Sequence, residues 1–353
     1  MKAYIRSASA ISAQHTFGDQ PFLTNIVEYT GNWLKPIEPD YKAYIDPKLI
    51  RRMSHVIKMG LATALDCLQQ AKLDQPDAII TGTAMGIMED TVSFLTRIVE
   101  MQEEMLSPTA FIQSTHNTVA AQIALSLKCH NYNNTFVHKG VSFENAVLDA
   151  LMLINEGEAR DVLVGGIDEM VDVSYKVLTR LGLYKRKEIS NLYLFKEKSK
   201  GTIGSEGASF FVLSDKPGDV LAELTALKTF FDQDTTLDPA PAITKFLAEN
   251  GLTIDDIDLV ITGKNGDINN DAPYDKLKVG LFQNTECVNY KHLSGEYPTS
   301  SGFALWVAAN IIGKQIVPTV LLEDQRKIPA PKKVLIYNRY QNRYHSLMLV
   351  SAC

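Results

Sequence analysis

Several groupings of side chains in this 353-residue chain have types and spacings that could do chemistry. Ser142, at the entrance to an apolar-periodic segment, could act as a hydroxyl nucleophile with His138 or His116 as base. The more ordinary role of a serine there is an N-cap or first-turn residue, and that reading is favoured. The same helix entrance, with Lys139 beside it, has free amides that could hold a carboxylate or thioester without chemistry. Lys291 and Glu296 could form a desolvated pair with Glu296 as general acid or base, although a structural salt bridge is the favoured reading. His116, Cys129, His130 and His138 raise a metal site, but the adjacent Cys129-His130 and the other spacings fit no usual zinc pattern. Asp267-x-Asn269-x-Asp271 imitates the start of a calcium loop, yet Ala272 stands at its glycine position and Lys278 at its bidentate glutamate position. Gly82-Thr83-Ala84-Met85-Gly86 lacks the G-K-[ST] ending of a phosphate loop and reads as a strand-end turn. Neither metal nor cofactor is expected.

These residues hang on elements that the apolar periodicity defines. Ile50, Met53, Ile57, Leu61, Ala64, Leu65 and Leu68 follow a helical rhythm that Gln75-Pro76 closes, before a strand at Ala78-Ile79-Ile80-Thr81. The pattern recurs: Pro241 to Leu252 reads as a helix, Asp255-Asp256 as a turn and Leu259-Val260-Ile261-Thr262 as a strand. Both strands share the form D-x-x-I-T-G, at Asp77 to Gly82 and at Asp258 to Gly263. Each is followed by a strand running into a helix, Thr135-Phe136-Val137 into Phe143 to Asn155 and Glu286-Cys287-Val288 into Ser301 to Ile312. Each half closes with a hairpin-like pair, Asp161–Gly166 with Ala208–Leu213 and Lys333–Tyr337 with His345–Val350. Near-continuous apolar strands imply burial on both faces, so the expectation is two duplicated α/β halves, 1–220 and 221–353, with helices covering the sheets. Phe230 to Pro241, rich in Asp, Thr and Pro, reads as the crossing between halves, and Glu89 to Thr118 as an excursion suited to a partner surface or pocket wall.

Apolar residues are 45% of the chain and charged residues 22%, which argues for a globular protein rather than disorder. Acidic residues exceed basic ones, 41 to 35, and no dense Lys/Arg block is present, so nucleic acid is not an expected partner. Cys67, Cys129, Cys287 and Cys353 are scattered without a C-x-x-C pair, which fits a reducing compartment. The N-terminal stretch has no continuous apolar segment, and the run from Phe303 to Ile312 falls well short of the ~20 residues of a membrane span. A cytoplasmic protein with no membrane association is expected. The Asn133-Asn134-Thr135 sequon then carries no weight. Phe303 and Trp306 read as core residues.

Gly204-Ser205-Glu206-Gly207-Ala208 followed by Phe211-Val212-Leu213 resembles the G-E-G-A strand of β-ketoacyl synthases. Val164-Gly165-Gly166-Ile167-Asp168-Glu169 resembles their G-G-x-E strand end, and Asn117 to Ala124 resembles the N-x-x-A-x-x-I-A helix before the active-site strand. These landmarks, from about residue 77 to 350, imply the thiolase fold, two related halves in a five-layered αβαβα arrangement. Condensing enzymes of this family use a cysteine at the strand-to-helix junction, where helix amides stabilise a thiolate that accepts an acyl chain. Two histidines, or a His and an Asn, stabilise the charge formed on decarboxylation.

This sequence departs from that pattern at every catalytic position. Counting back from Ala146 places Gly140 in the cysteine slot, preceded by His138 and Lys139. The H-G-T-x-T-x-x-x-D stretch becomes Gly263-Lys264-Asn265-Gly266-Asp267-Ile268-Asn269-Asn270-Asp271, with Gly263 and Asn265 marking the vestigial site and Asp271 matching the terminal acid. In K-S-x-x-G-H, Lys291 and Gly295 remain but Glu296 stands for histidine. The glycine-rich N-S-F-G-F-G-G loop becomes Asn338-Arg339-Tyr340-Gln341-Asn342-Arg343-Tyr344, too bulky to gate on glycines. The resemblance therefore implies a chain inactive on its own, like the chain-length factor that pairs with an active ketosynthase and is served by an acyl carrier protein. The stretch Phe111 to Thr118 is similar to that of ketosynthase-like proteins of aryl polyene, flexirubin and dialkylresorcinol pathways. Lys139, Lys291 and Asn338 are expected to contact substrate. Two alternatives remain: an acyl-thioester hydrolase or acyltransferase of changed mechanism using Ser142, His138 or Glu296, and a homodimer that binds acyl carrier protein without chemistry.

Overall fold

The structure, a computed structural model, describes residues 1–323 and 326–353. Ten strands form its main sheet. In chain order they are β1 (Ala3–Ile11), β2 (Ala78–Gly82), β3 (Tyr132–Phe136), β4 (Asp161–Asp168), β5 (Gly207–Ser214), β6 (Ala222–Phe231), β7 (Leu259–Thr262), β8 (Glu286–Asn289), β9 (Lys333–Tyr340) and β10 (Tyr344–Ser351). The spatial order is β8-β7-β9-β10-β6-β1-β5-β4-β2-β3. Reading outward from the β1/β6 junction, the two arms are the same object. β2 lies parallel to β3 and β4, and β4, β5 and β1 pair antiparallel. In the other arm β7 lies parallel to β8 and β9, and β9, β10 and β6 pair antiparallel. Among the described residues, the strands of the two arms pair with one another over Ala3–Ile5 against Ala222–Leu224.

The helices that cover the sheet are α1 (His55–Ala71), α2 (Met88–Glu100), α3 (Pro108–Gln113), α4 (Thr118–Leu127), α5 (Ser142–Glu156), α6 (Asp172–Arg180), α7 (Pro239–Glu249), α8 (Ile268–Val279) and α9 (Ser301–Lys314). Strand periodicity of two sorts their residues into layers. Ala78, Ile80, Val162 and Val164 of the first arm share a core with Leu259, Ile261, Val334 and Ile336 of the second, and with Phe143 and Val147 of α5 and Phe303 to Ile312 of α9. The alternate residues Ile79, Leu163 and Phe210 face α1 and α4. Val260, Leu335 and Leu347 face α7 and α8. Helix, sheet, helix, sheet and helix follow one another, as expected. Residues 301 to 312 of the central α9 are all buried, so it carries no polar stripe.

Local signals set the boundaries. α1 begins at His55 rather than Ile50, because Asp46 caps a separate turn at Lys48 and Ser54 takes the N-cap position. Lys72, left-handed at φ 53°, ends the helix. The D-x-x-I-T-G repeat has a physical role in both copies. Asp77 accepts the backbone N–H groups of Arg160 and Asp161 at the start of β4, and Asp258 accepts those of Lys332 and Lys333 at the start of β9. One expectation is corrected: Phe230 to Pro241 is not the crossing between halves. Phe230 and Phe231 end β6, which pairs with β10, and Pro239 opens α7. The chain crosses between Ser214 and Ala222. The Asp-rich composition serves a turn instead, in which Asp232 accepts from the amides of Asp234, Thr235 and Leu237.

The acids of the strand-end motifs are internal staples. Asp168, 1% exposed, accepts from Ala84 N (2.8 Å), Met85 N (3.3 Å) and Thr83 Oγ1 (3.1 Å) of the first half and from Thr299 N (3.0 Å) and Oγ1 (2.9 Å) of the second. Glu169 accepts Glu89 N (2.9 Å), and Glu206 accepts Met170 N (2.9 Å). Burial pushes Asp168 up to about 6, outweighing its hydrogen bonds, and pushes Glu169 up to about 8, helped by the Glu89 and Glu206 carboxylates. A raised folded-state value means that both groups favour the fold while protonated, fully so below about pH 4. That contribution is lost as pH rises through 6 and then 8. Glu169→Gln should therefore flatten the decline of stability between about pH 5 and 8, read as urea midpoints across that range.

Candidate functional site

Gly140 ends β3's run into α5, within a 3-10 turn at Lys139–Val141. Lys139 is left-handed there (φ 49°), which turns the chain so that the Ser142 hydroxyl closes on it. Ser142 Oγ donates to the Lys139 carbonyl (2.8 Å) and accepts His138 N–H (2.7 Å). The hydroxyl is fully buried and both of its hydrogen bonds go to backbone, while His138 and Lys139 are exposed. Ser142 is thus a first-turn serine, and nothing aims the His138 imidazole at it. His116 packs on Gly86, where an added Cβ would lie 2.8 Å from its ring.

The space above Gly140 belongs to Tyr340. A Cβ built on Gly140 would lie 2.5 Å from Tyr340 Cβ and Cδ1 and 2.6 Å from Cγ, closer than any side chain tolerates. Residue 140 lies in the first half and Tyr340 at the end of β9 in the second, so the halves meet here. No cysteine can stand at 140 while Tyr340 holds that place. The four cysteines lie elsewhere, and burial pushes the thiols of Cys67 and Cys287 up to about 12, far from a reactive thiolate.

Glu296 follows a short helical turn, Lys291–Ser294, and Gly295 at φ 68°. Its carboxylate accepts Lys291 Nζ at 2.9 and 2.8 Å, Asn265 Nδ2 at 2.7 Å and Ser300 Oγ at 3.4 Å. Lys291 is completely buried and Glu296 nearly so. Asn265 is held in turn by Asp271, which accepts the amides of Asn265 (2.8 Å) and Gly266 (2.9 Å) and which burial pushes up to about 6. Asp267 caps α8 through the amides of Asn269 and Asn270. The acidic spacing that imitates a calcium loop is therefore a helix cap and a loop clamp. At Gly263 a Cβ would lie 2.3 Å from Asn338 Oδ1 and 2.7 Å from the Tyr274 hydroxyl, so a histidine is excluded there too. Asn338 accepts from the Tyr290 hydroxyl (3.1 Å).

Glu296, Asn265 and Tyr340 share one cavity of about 820 Å³ with Tyr184, Thr202 and Asn270. Of the residues expected to bind substrate, Lys139 is exposed, whereas Lys291 and Asn338 are buried against internal partners. Glu144, absent from the sequence-based candidates, is fully buried in the first turn of α5 beside the Ser301 and Ser346 hydroxyls, and burial raises its pKa against their opposing effect. A charged residue between Phe143 and Ala146, in an otherwise core-facing turn, was the available signal. Among the described residues no group of three His, Cys, Asp or Glu side chains is placed to hold a metal.

Residues 31–185 match the family described as beta-ketoacyl synthase, N-terminal domain. No curated protein matches the sequence. Among solved structures, the ishigamide ketosynthase/chain length factor superposes with a TM-score of 0.81 at 16% identity, over 100% of this chain and 99% of that one. A beta-ketoacyl synthase from Burkholderia phymatum STM815 gives 0.79 at 15% identity, over 100% and 99%. The ketosynthase ApeO in complex with its chain length factor ApeC from Xenorhabdus doucetiae gives 0.74 at 15% identity, over 99% and 98%. The fold is the thiolase fold of the ketosynthases, as the sequence landmarks imply.

Two stability measurements test the site's packing. Gly140→Ala should destabilise the chain by about 1–3 kcal/mol, and combining it with Tyr340→Gly should show a favourable coupling of similar size in a double-mutant cycle. Lys291→Met, which leaves Glu296 buried and unpaired, should cost about 3–5 kcal/mol. Adding Glu296→Gln to it should recover most of that loss in chemical denaturation.

Proposed function

We propose that this chain is a non-condensing ketosynthase-like subunit of chain-length-factor type, its repeat divided as 1–220 and 221–353. It pairs with an active β-ketoacyl synthase and receives acyl thioesters from an acyl carrier protein, in fatty-acid- or polyketide-type synthesis of the aryl polyene or flexirubin kind. The observation that carries this reading is Gly140 beneath Tyr340, a nucleophile position without a side chain whose space is already filled. In this reading Gly263 and Glu296 stand at the two histidine positions, and Glu296 is held by Asn265 and Lys291. Two of the similar structures are described as a ketosynthase with its chain length factor, which supports a paired role. A further similar structure, at 15% identity and TM-score 0.72, is described as a type II PKS acyl-carrier protein in complex with its ketosynthase, which supports the carrier protein as the thioester source.

The first half offers a surface for such a partner. β3 is a terminal strand of the sheet, paired only with β2, so its outer backbone groups are open to a further strand. Tyr132 on β3, Val137 just beyond it and Leu125 of α4 are exposed, as are Leu95 and Val99 of α2, Met105, and Phe111 and Ile112 of α3. Met105 is 90% exposed and Val99 79%, values typical of surfaces that are covered in an assembly. No described helix is long and apolar enough to cross a membrane, in keeping with a proposed site of action in the cytoplasm.

The test is co-expression with an active ketosynthase from the same cells, followed by native mass spectrometry and acyl-thioester turnover. The expected result is a one-to-one complex that condenses thioesters, no turnover by this chain alone, and a complex weakened at least about tenfold by Phe111→Glu with Ile112→Glu. A homodimer that hydrolyses acyl thioesters and loses that activity on Ser142→Ala would overturn the proposal.

A further inference from the structure

A second cavity, of about 480 Å³, lies between the loop after β1, the last turns of α1 and the second half of α9. It shares no lining residue with the cavity beside Glu296. Asp66 of α1 stands in its wall and is 5% exposed. The carboxylate accepts Ser9 Oγ (2.5 Å) and Gln70 Nε2 (2.7 Å) at Oδ2, and the Tyr44 hydroxyl (3.3 Å) at Oδ1. All three donors are neutral. Among the described residues no lysine, arginine or histidine forms an ion pair with Asp66. A buried carboxylate keeps its charge at a cost unless a cation meets it, and here the cavity leaves room for one to do so.

Two further polar side chains of the wall are acceptors for the same reason. Asn310 of α9, 7% exposed, commits its Nδ2 to the Trp306 carbonyl (2.9 Å), and Gln70 commits its Nε2 to Asp66, so each has a carbonyl oxygen to offer. Phe22, Tyr44 and Trp306 supply aromatic surface to the same space, Phe22 meeting Trp306 edge to face at 5.4 Å. The remaining charged groups of the lining, His15, Asp19 and Lys314, are exposed and belong to its mouth. The volume falls in the range of about 300–1,000 Å³ that small molecules fill, and a bare metal ion would leave most of it empty. The complementary species is a small organic ammonium. It supplies the missing positive charge, three N–H donors for the carboxylate and the two amide oxygens, and a carbon skeleton for the aromatic walls.

We propose that this cavity is a binding site for a small primary amine, with Asp66 as the counter-charge of its ammonium group. The site is separate from the Gly140 region and does not depend on the chain-length-factor reading. The test uses the full chain in amine-free phosphate buffer at pH 7 and constant ionic strength, titrated with 2-phenylethylamine and with n-butylamine, and in parallel with the matching alcohols 2-phenylethanol and 1-butanol. Calorimetry should report one site per chain for at least one amine, with its alcohol bound at least about tenfold more weakly. The chain has two tryptophans, so in a Trp33→Phe background the emission of Trp306 should change saturably with the same Kd, which places the ligand in this cavity. Asp66→Asn should weaken the amine at least about tenfold and leave the alcohol within about twofold. Leu181→Trp, in the cavity beside Glu296, should leave the amine within about twofold. No saturable binding of either amine, equal binding of amine and alcohol, or binding by Asp66→Asn equal to wild type overturns the proposal. Full displacement of the amine by potassium or calcium at constant ionic strength overturns it too, by assigning the site to a metal ion. Should Asp66→Asn fail to fold, the amine-to-alcohol ratio of the wild type decides the matter together with Gln70→Leu, at an exposed position, which should weaken the amine at least about fivefold.

Discussion

The carboxylate of Asp168 is the constraint on which the remaining geometry rests. The two arms pair over a three-residue seam at β1 and β6 and pack against one another through the apolar core around α5 and α9, which is not directional. Asp168 adds the directional tie. It gathers donors from the end of β2, at Thr83 to Met85, and from Thr299 at the entrance to α9. Replacing such a group without its partners would leave several buried donors orphaned, which is why a buried acid with this many contacts specifies one arrangement. The arrangement it specifies places Gly140 of the first arm against Tyr340 of the second, and Glu296 and Asn265 beside them.

Around Gly140, Gly263 and Glu296 the side chains are tightly fitted to one another beside the cavity that Glu296, Asn265 and Tyr340 line. Glu296 has four hydrogen bonds from Lys291, Asn265 and Ser300, and Gly263 leaves room for Asn338. A buried ion pair is weak evidence for stability, since removing both charges is often neutral, but it is strong evidence for a definite local structure. The polar groups of Lys291, Glu296 and Asn265 are matched to one another, and Ser142, two residues beyond Gly140, is bonded to backbone on both sides.

Much of this was legible in the sequence. The repeated D-x-x-I-T-G strands, the strand-to-helix steps after them and the apolar runs announced two equivalent arms, because sheet burial imposes period-two patterns that need no partner to be recognised. The positions of Gly140 and Glu296 were singled out by the resemblance, from counting along its motifs. The partners were not. Tyr340 above Gly140, Asn338 against Gly263 and Thr299 on Asp168 are contacts between residues far apart in the chain, and no local pattern encodes them. The stretch Phe230 to Pro241 misled for a related reason: Asp and Pro mark any turn, and composition does not distinguish a turn inside an arm from a passage between arms. Glu144 and Asp66 were overlooked because burial of a charge is a property of the packed layers rather than of the segment that carries it.

The fit of Tyr340 over Gly140 also constrains how the two positions can change. A larger residue introduced at 140 meets the ring, and a small residue introduced at 340 opens a hole over a bare glycine. Both intermediates are worse than either end, and the two positions lie on different arms of the molecule. The pair acts as a latch: any single exchange at either position runs uphill, and only a paired change keeps the interior filled.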